Sequence, residues 1–511
     1  MSMSSCEERE RPRKSCAPVH ANGGFAAGVL FALLVYFLVR QQTAIGAATT
    51  AALAQWSTVK QLIRAPGETQ LIKAPGEILV TSDVHRVGNK QPVQDSGPSE
   101  RSHGPSNGNQ TDDIFLEKKS VHWQFFHAHD NGKVVCTTED RSRGLSGTCE
   151  ADGDVRTNGT ALSVSLVPAS WSECHEWMIS PYTRSGQSLR AVTVTQLQDR
   201  AATPPCTVTH TMPAILFGIG GYVGNYWHEY ADILVPLFVA SRRYHGEVTF
   251  LVSNIQQMPR WLVKYRALLQ GLSKYGVVDM DRDAYVRCFP RVSVGLRLDK
   301  DLSIVPELVP GGRLTMADFT RFVRETYALP RGAVTREPYK KPRLLLIQRA
   351  TSRQFLNEAE IARAAEAAGF EVVVTELRHD GSEVEQARVV NSFDVLLGVH
   401  GAGLTNAVHM PPGGVLIQVV PYGKLESMAR LDFSEPATDM GLKYLDYSVS
   451  VEESSLLEKL GPDHPAIKDP DSIHRSGWTT MYEFYLMQNV RINTTRFAPT
   501  LDQAFNHLRK H

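Results

Sequence analysis

The chain has 511 residues, 42% of them apolar and 21% charged, enough to bury two or three cores, which excludes a wholly disordered polymer. Lysine plus arginine and aspartate plus glutamate both number 54, and a formal net charge of zero gives no ground for nucleic acid or an acidic polymer as partner.

In chain order, residues 21–39 contain no charged side chain and end at Arg40. That is close to the ~20 residues that cross a bilayer as a helix. Arg9, Arg11, Arg13 and Lys14 precede the run, and only Arg40 and Lys60 follow closely, so the positive-inside bias predicts a cytosolic tail at 1–20 and a signal anchor at 21–39. The remainder is then lumenal, a single-pass type II arrangement. A cleaved signal peptide ending near Ala44-Ile45-Gly46 is the rival reading, but the tail is long and the apolar run exceeds the roughly 7 to 15 residues of a signal core. Residues 40–119 read as a disordered stem, since no aromatic residue lies between Trp56 and Phe115 to offset the entropy of ordering. LIRAPGE at 62–68 recurs there as LIKAPGE at 71–77, either drift in a spacer or a docking motif.

Beyond the anchor, Asn109, Asn158 and Asn493 open N-glycosylation triplets, which suits a lumenal region. Cys6 and Cys16 fall on the cytosolic side. Of the remaining cysteines, Cys136 with Cys149 is the most local pairing and Cys174 with Cys206 is the second expectation; no CxxC spacing marks a zinc or redox site.

The globular part begins near 120 and divides into a lobe at 120–335 and a lobe at 336–511. In the first, the strand AILFGIGG leads into GNYWHEYADILVPLF, where Asn225, His228 and Asp232 share one helical face with Glu229 close beside it. Pro236 should end or kink that helix. A histidine and two carboxylates there could act as general bases on a hydroxyl, or could merely favour the helix dipole.

In the second lobe, RLLLIQ (343–348), EVVVTEL (371–377), DVLLG and VLIQVV are predicted strands, separated by helices over 357–369 and 382–392 and a short helix from Leu404 to Val408. Such alternation predicts a parallel sheet with helices on both faces. The loop HGAGLTN, with His400, Gly401, Gly403, Thr405 and Asn406, leaves the carboxyl end of a strand and enters a helix. Glycines there allow close backbone approach and the helix start offers free amides, so the loop suits an anion; a Gly-rich turn without ligand is the bland alternative. Arg349 and Arg353 follow the neighbouring strand, and with the loop they outline a diphosphate site. Two DxD pairs, Asp152 with Asp154 and Asp281 with Asp283, have the spacing of a divalent-metal site but lie amid turn-forming or charged residues, and both read as solvated turns.

GGYVGNYWHEYADILVPLF, LLLIQRATSRQFLN, LLGVHGAGLTNAVHMPPGGVLIQVVPYG, MGLKYLDYSVSVEESSL and QNVRIN…RF resemble, in order, the blocks of plant glycosyltransferase family 61, and within it the grass xylan arabinosyl- and xylosyltransferases. The resemblance implies an α/β fold with two Rossmann-like lobes of GT-B type, the first on the acceptor side and the second binding the nucleotide sugar. It implies a Golgi membrane protein that takes UDP-xylose or UDP-arabinofuranose and adds the pentose, with inversion, to a xylan or xylo-oligosaccharide acceptor, with no obligatory metal. His400, Gly401, Gly403, Thr405 and Asn406 would meet the UDP moiety, with Arg349 and Arg353 on its diphosphate. Asp232 or His228 is the candidate catalytic base, Glu453 the runner-up, and Asn225 and Glu229 lie on the acceptor side. The sequence departs from the family blocks at His-Glu-Tyr-Ala-Asp and at ISPYTRSGQSLRAV, so the donor blocks match while the acceptor stays open. Transfer to N-glycans or protein O-glycans, or a catalytically silent scaffold of a xylan-synthesising complex, are the alternatives.

Overall fold

The structure, a computed structural model, describes residues 132–509 apart from 202, 311, 338, 379 and 380. The tail, the anchor, the stem with its repeated APGE, Cys6, Cys16 and Asn109 lie outside the described residues. Among the described residues no helix is long and apolar enough to cross a membrane. The architecture is mixed α/β, built on two sheets.

The second sheet follows the predicted pattern. Five parallel strands stand in the order Glu371–Thr375, Arg343–Ile347, Val395–Val399, Val415–Val420, Lys443–Ser448. Helices cover both faces of a parallel sheet, so its inner strands are apolar without alternation, and every residue of Val395–Val399 and Val415–Val420 is buried. The last helix, Thr494–Arg509, lays Phe497, Leu501, Ala504 and Leu508 onto this core as one stripe at helical spacing. Chain order reverses between Arg343–Ile347 and Val395–Val399, and a crevice opens at such a switch point beyond the carboxyl ends of the two strands.

The first sheet departs from the Rossmann-like expectation. Its ten strands are mixed. Val286–Val294 is parallel to Ala214–Gly218, which is parallel to Thr249–Ser253 and then Val278–Asp279. On its other edge Val286–Val294 runs antiparallel to Cys149–Asn158, which opens into an extension of Lys133–Cys136, Ser163–Val167, Val192–Gln196 and His175–Ile179. The extension alternates buried and half-exposed residues, as a sheet with one wet face does, whereas Ala214–Gly218 and Thr249–Ser253 are buried throughout.

Two local expectations are corrected in this sheet. Asp152 and Asp154 sit inside the strand Cys149–Asn158 rather than in a turn. Asp152 is ion-paired with Arg291, and Asp154 with Arg156 at 3.0 Å and Arg200 at 3.3 Å, so cross-strand and neighbouring arginines satisfy both. Asp281 does lie in a turn, accepting the amides of Asn254 at 2.9 Å and Ile255 at 2.7 Å, but Asp283 is buried against Arg287 at 2.7 Å. The second correction concerns the disulfides. Cys136 is bonded to Cys149, its direct cross-strand partner, but Cys206 is bonded to Cys288, not to Cys174. The short strand Val208–Thr209 pairs with Val286–Val294 and carries Cys206 to that partner.

Candidate active site

The helix that follows Ala214–Gly218 is not interrupted by Pro236. It starts at Tyr226–His228, capped by the Asn225 side chain accepting from the Trp227 amide at 3.0 Å, widens into a π turn at Glu229–Leu234, and resumes as Val235–Arg242. A proline inside an α-helix has no N–H for the carbonyl four residues back and its ring collides with that carbonyl. Here that carbonyl belongs to Asp232. The π turn moves it aside, and Thr183 Oγ1 donates to it at 3.0 Å.

The same displacement aims the Asp232 side chain. It is fully buried and accepts from Tyr182 Oη at 2.6 Å, from His228 Nδ1 at 2.8 Å and from Arg184 Nε at 2.9 Å. Burial alone would push this carboxyl up, but the His228 hydrogen bond and the Arg184 charge outweigh it and hold the group below the usual carboxylate range. Asp232 therefore cannot reach a substrate. His228 can: its ring is partly exposed, stacks on Tyr222 at 4.6 Å, and with Nδ1–H given to Asp232 presents the lone pair of Nε2.

Two other candidates leave the list of bases and acceptor contacts. Glu229 points away from this face into a buried polar network, accepting from Lys264 at 2.6 Å and from Tyr265. The network crosses to the second sheet at Glu383, which accepts from Tyr226 at 2.6 Å and Tyr230 at 2.7 Å and lies 3.3 Å from His409 Nε2. Glu453 is buried, with all its lone pairs engaged by the amides of Ser450 at 2.9 Å and Asn493 at 2.7 Å, by Tyr447 and by Arg496. It closes the capping box of Val451–Glu453 and has no lone pair left for a proton. Asn225 is exposed, though its side-chain oxygen is committed to the cap.

Across the cleft, the switch point of the parallel sheet brings the donor-side candidates together. Arg353, buried and itself at φ +56°, donates from Nη1 to the His400 carbonyl at 3.1 Å, while Arg349 donates from Nε to the Ser352 carbonyl at 2.9 Å. A Cβ at Gly401 would lie 2.7 Å from Arg353 Nη1 and 3.3 Å from Arg349 Nη1. Both guanidinium groups thus close on the one residue whose missing side chain admits them, and Gly401 adopts φ +139°. Among the described residues neither arginine has a carboxylate within ion-pair distance; burial and then the Arg349 charge push the Arg353 guanidinium down to about 10. His400, buried, accepts from Gln418 Nε2 at 2.7 Å on Nδ1, which leaves its proton on Nε2; burial and the two arginines push it down to about 3, so it stays neutral.

Gly401 leads into Ala402–His409, wound as a 3-10 helix whose first amides have no partner within the helix. Three residues per turn put Thr405 and Val408 on one inward row, so Thr405 is fully buried. Asn406 is buried as well, accepting from Gln386 at 2.9 Å and donating to the Gly403 carbonyl at 2.9 Å. Both side chains are packed within the turn, and Thr405 Oγ1 has no hydrogen-bond partner among the described residues. Asn158 binds the Ala161 amide at 3.1 Å, and exposed Asn493 caps the last helix through the Thr495 amide at 3.1 Å.

Sequence reasoning missed Tyr182 and Arg184, which clamp Asp232, with Arg184 also reaching Asp301 at 2.7 Å. It also missed Asp432. That residue occupies a second π turn, Arg430–Ser434, again four residues before a proline, Pro436, and its freed carbonyl accepts from Trp227 Nε1 at 3.4 Å. Asp-x-x-x-Pro occurs in both helices, ADILVP and LDFSEP, and was the available signal.

The sequence profile of the family Glycosyltransferase 61 matches residues 226–417, which span both sides of this cleft. The β-1,2-xylosyltransferase XYXT1 of Oryza sativa subsp. japonica is 41% identical over 389 residues, 71% of this chain and 83% of the relative. The chain belongs to glycosyltransferase family 61. As a family 61 glycosyltransferase it is also similar to the α-1,3-arabinosyltransferase XAT3 of the same organism, 42% identical over 75% of this chain and 66% of the relative. The xylan glycosyltransferase MUCI21 of Arabidopsis thaliana is 32% identical over 72% of this chain and 78% of the relative.

Proposed function

We propose that this family 61 enzyme moves a pentose, xylose or arabinofuranose, from a UDP-sugar onto the xylan backbone with inversion, in the synthesis of arabinoxylan. The single observation that carries the donor half is the pair of Arg353, buried, and Arg349, half-buried, which close on Gly401 with no carboxylate within ion-pair distance among the described residues. A diphosphate supplies that charge and also suits the free amides of Ala402–His409. The pentose and the xylan acceptor rest on the names of the relatives.

In the reaction the acceptor hydroxyl oxygen bonds to the anomeric carbon from the face opposite the leaving group. The bond from that carbon to the diphosphate oxygen breaks, its electron pair leaves with UDP, and the hydroxyl proton passes to Nε2 of His228. Asp232, held by Tyr182 and Arg184, keeps the ring oriented and stabilises the imidazolium. The two arginines meet the growing leaving-group charge, so neither a general acid nor a divalent ion is required. On this reading the two sheets are the acceptor and donor lobes of a GT-B enzyme, and residues 21–39 anchor it in the Golgi membrane with the catalytic region in the lumen.

The test is product mass after incubating the full-length chain, purified in detergent, with xylo-oligosaccharides and UDP-xylose or UDP-arabinofuranose, with and without EDTA. One pentose added from one donor, in both conditions, is expected. No transfer from either donor by protein that binds UDP overturns the xylan reading, and transfer abolished by EDTA overturns the metal-independent mechanism.

A further inference from the structure

The cleft contains a carboxylate that the reaction above does not use. Asp432 has its backbone pinned to the first lobe through Trp227, and its side chain, partly exposed, is turned towards His400, with Oδ2 3.8 Å from Nε2. No hydrogen bond to its carboxylate forms among the described residues, and Arg184, whose charge acts on it, is already shared between Asp232 and Asp301.

The partner across that gap is equally uncommitted. Tyr444 Oη donates to Gln418 Oε1 at 2.7 Å, and this fixes the Gln418 amide so that its NH2 faces His400 Nδ1. The imidazole proton is therefore on Nε2, facing Asp432, and the ring stays neutral. A separation of 3.8 Å is too long for a direct hydrogen bond, but a single oxygen about 2.8 Å from each group fits between them. Above about pH 7, where Asp432 is ionised, that oxygen must accept from Nε2–H and donate to the carboxylate. A hydroxyl does both; a phosphate oxygen only accepts and is repelled by the carboxylate. The gap also has a defined neighbour. The His400 carbonyl is held by Arg353, and the next residue is Gly401, where the diphosphate cradle starts. A hydroxyl bound there belongs to one of the two sugars that flank that diphosphate, the transferred pentose or the uridine ribose, and binding of UDP itself tells them apart.

We propose that His400 and Asp432 together grip one hydroxyl of the donor's sugar and so help select which pentose the enzyme takes. The inference rests on the nucleotide-sugar reading of the crevice. Asp432 arrives from the helix opposite the Gly401 loop, so the grip forms only where the Arg430–Ser434 turn and the end of Val395–Val399 meet.

The experiment compares the affinities of the full-length chain for UDP, UDP-xylose and UDP-arabinofuranose with those of Asp432→Ala and Asp432→Asn. UDP carries the diphosphate and the uridine ribose but not the transferred pentose, so it reports folding, the cradle and any contact to the ribose. Loss of a charged hydrogen bond should raise the ratio of UDP-sugar Kd to UDP Kd about tenfold or more in the alanine variant, less in the asparagine variant, with UDP itself within about twofold of wild type. An unchanged ratio in Asp432→Ala overturns the proposal, as does equal weakening of UDP and UDP-sugar. Unchanged donor binding with a raised KM for the xylo-oligosaccharide also overturns it, by moving Asp432 to the acceptor. A wild-type chain that binds neither UDP nor any UDP-sugar overturns the donor reading itself, a result distinguishable from the other three.

Discussion

Gly401 and Gly403 look alike in the sequence, yet the structure separates them. At 401 a methyl group meets two guanidinium groups and a φ of +139°, whereas at 403 the nearest atom is Ile347 Cγ2 at 3.7 Å. Gly401→Ala should weaken UDP binding on the order of tenfold or more and destabilise the fold by about 1–3 kcal/mol, while Gly403→Ala leaves both near wild type; calorimetric titration with UDP and a denaturant series read the two effects. Asp432 gives a prediction with pH. Burial first, then the Asp301 charge, pushes its carboxyl up to about 7, so between its ordinary value and about 7 the folded chain holds a proton that the unfolded chain has lost. This group's contribution to stability therefore falls as pH rises through that window. Asp432→Asn should be more stable than wild type at pH 7.5 by on the order of 1–3 kcal/mol, with the gap closing towards pH 4 in urea unfolding. Asp232 has the opposite sign: its lowered carboxyl contributes stability above its ordinary value that is lost as pH falls.

At the scale of elements, the two π turns are where the sequence was hardest to read. The apolar runs of Val395–Val399 and Val415–Val420 announced a parallel sheet because burial on both faces leaves no other composition, and the donor loop could be placed at its end. Cys149–Asn158, reading CEADGDVRTN, hid a strand behind charges that are satisfied by its own Arg156 and by arginines elsewhere in the chain. Pro236 predicts an end or a kink because local rules see the lost hydrogen bond but not Thr183, which arrives from a distant loop to replace it. The π turn and the placement of Asp232 then depend on the proline. Pro236→Ala should let the helix close towards α geometry and draw Asp232 away from His228. The expected outcome is a fall in kcat on the order of 10²-fold with UDP affinity and thermal midpoint retained, measured by steady-state kinetics beside UDP titration and circular dichroism.

For the whole molecule, the decisive feature is polar rather than apolar. Tyr226, Tyr230, Glu229 and Lys264 from the first lobe close over Glu383 and His409 from the second, all buried or nearly so. Burial would push the Glu383 carboxyl up, but the His409 hydrogen bond and charge and the Lys264 charge keep it below the usual range, so the contact is strongest above the ordinary glutamate value and is lost in acid. Glu383→Ala takes the carboxylate from His409 and the acceptor from two buried tyrosine hydroxyls and should cost about 3–5 kcal/mol, seen as a lowered midpoint in differential scanning calorimetry. Sequence alone could not show this pairing, since Tyr226 and Tyr230 lie 157 and 153 positions before Glu383 and none has a local motif. The Cys206–Cys288 disulfide has a related consequence, one that concerns time. It ties the chain into a ring 82 residues around that contains the His228 and Asp232 helix. Synthesis at about 5–20 residues per second cannot close that ring until several seconds after Cys206 has been made. During that interval the segment bearing the candidate base is an open thread with Cys206 still a thiol, and a host that keeps thiols reduced would release the chain without the ring.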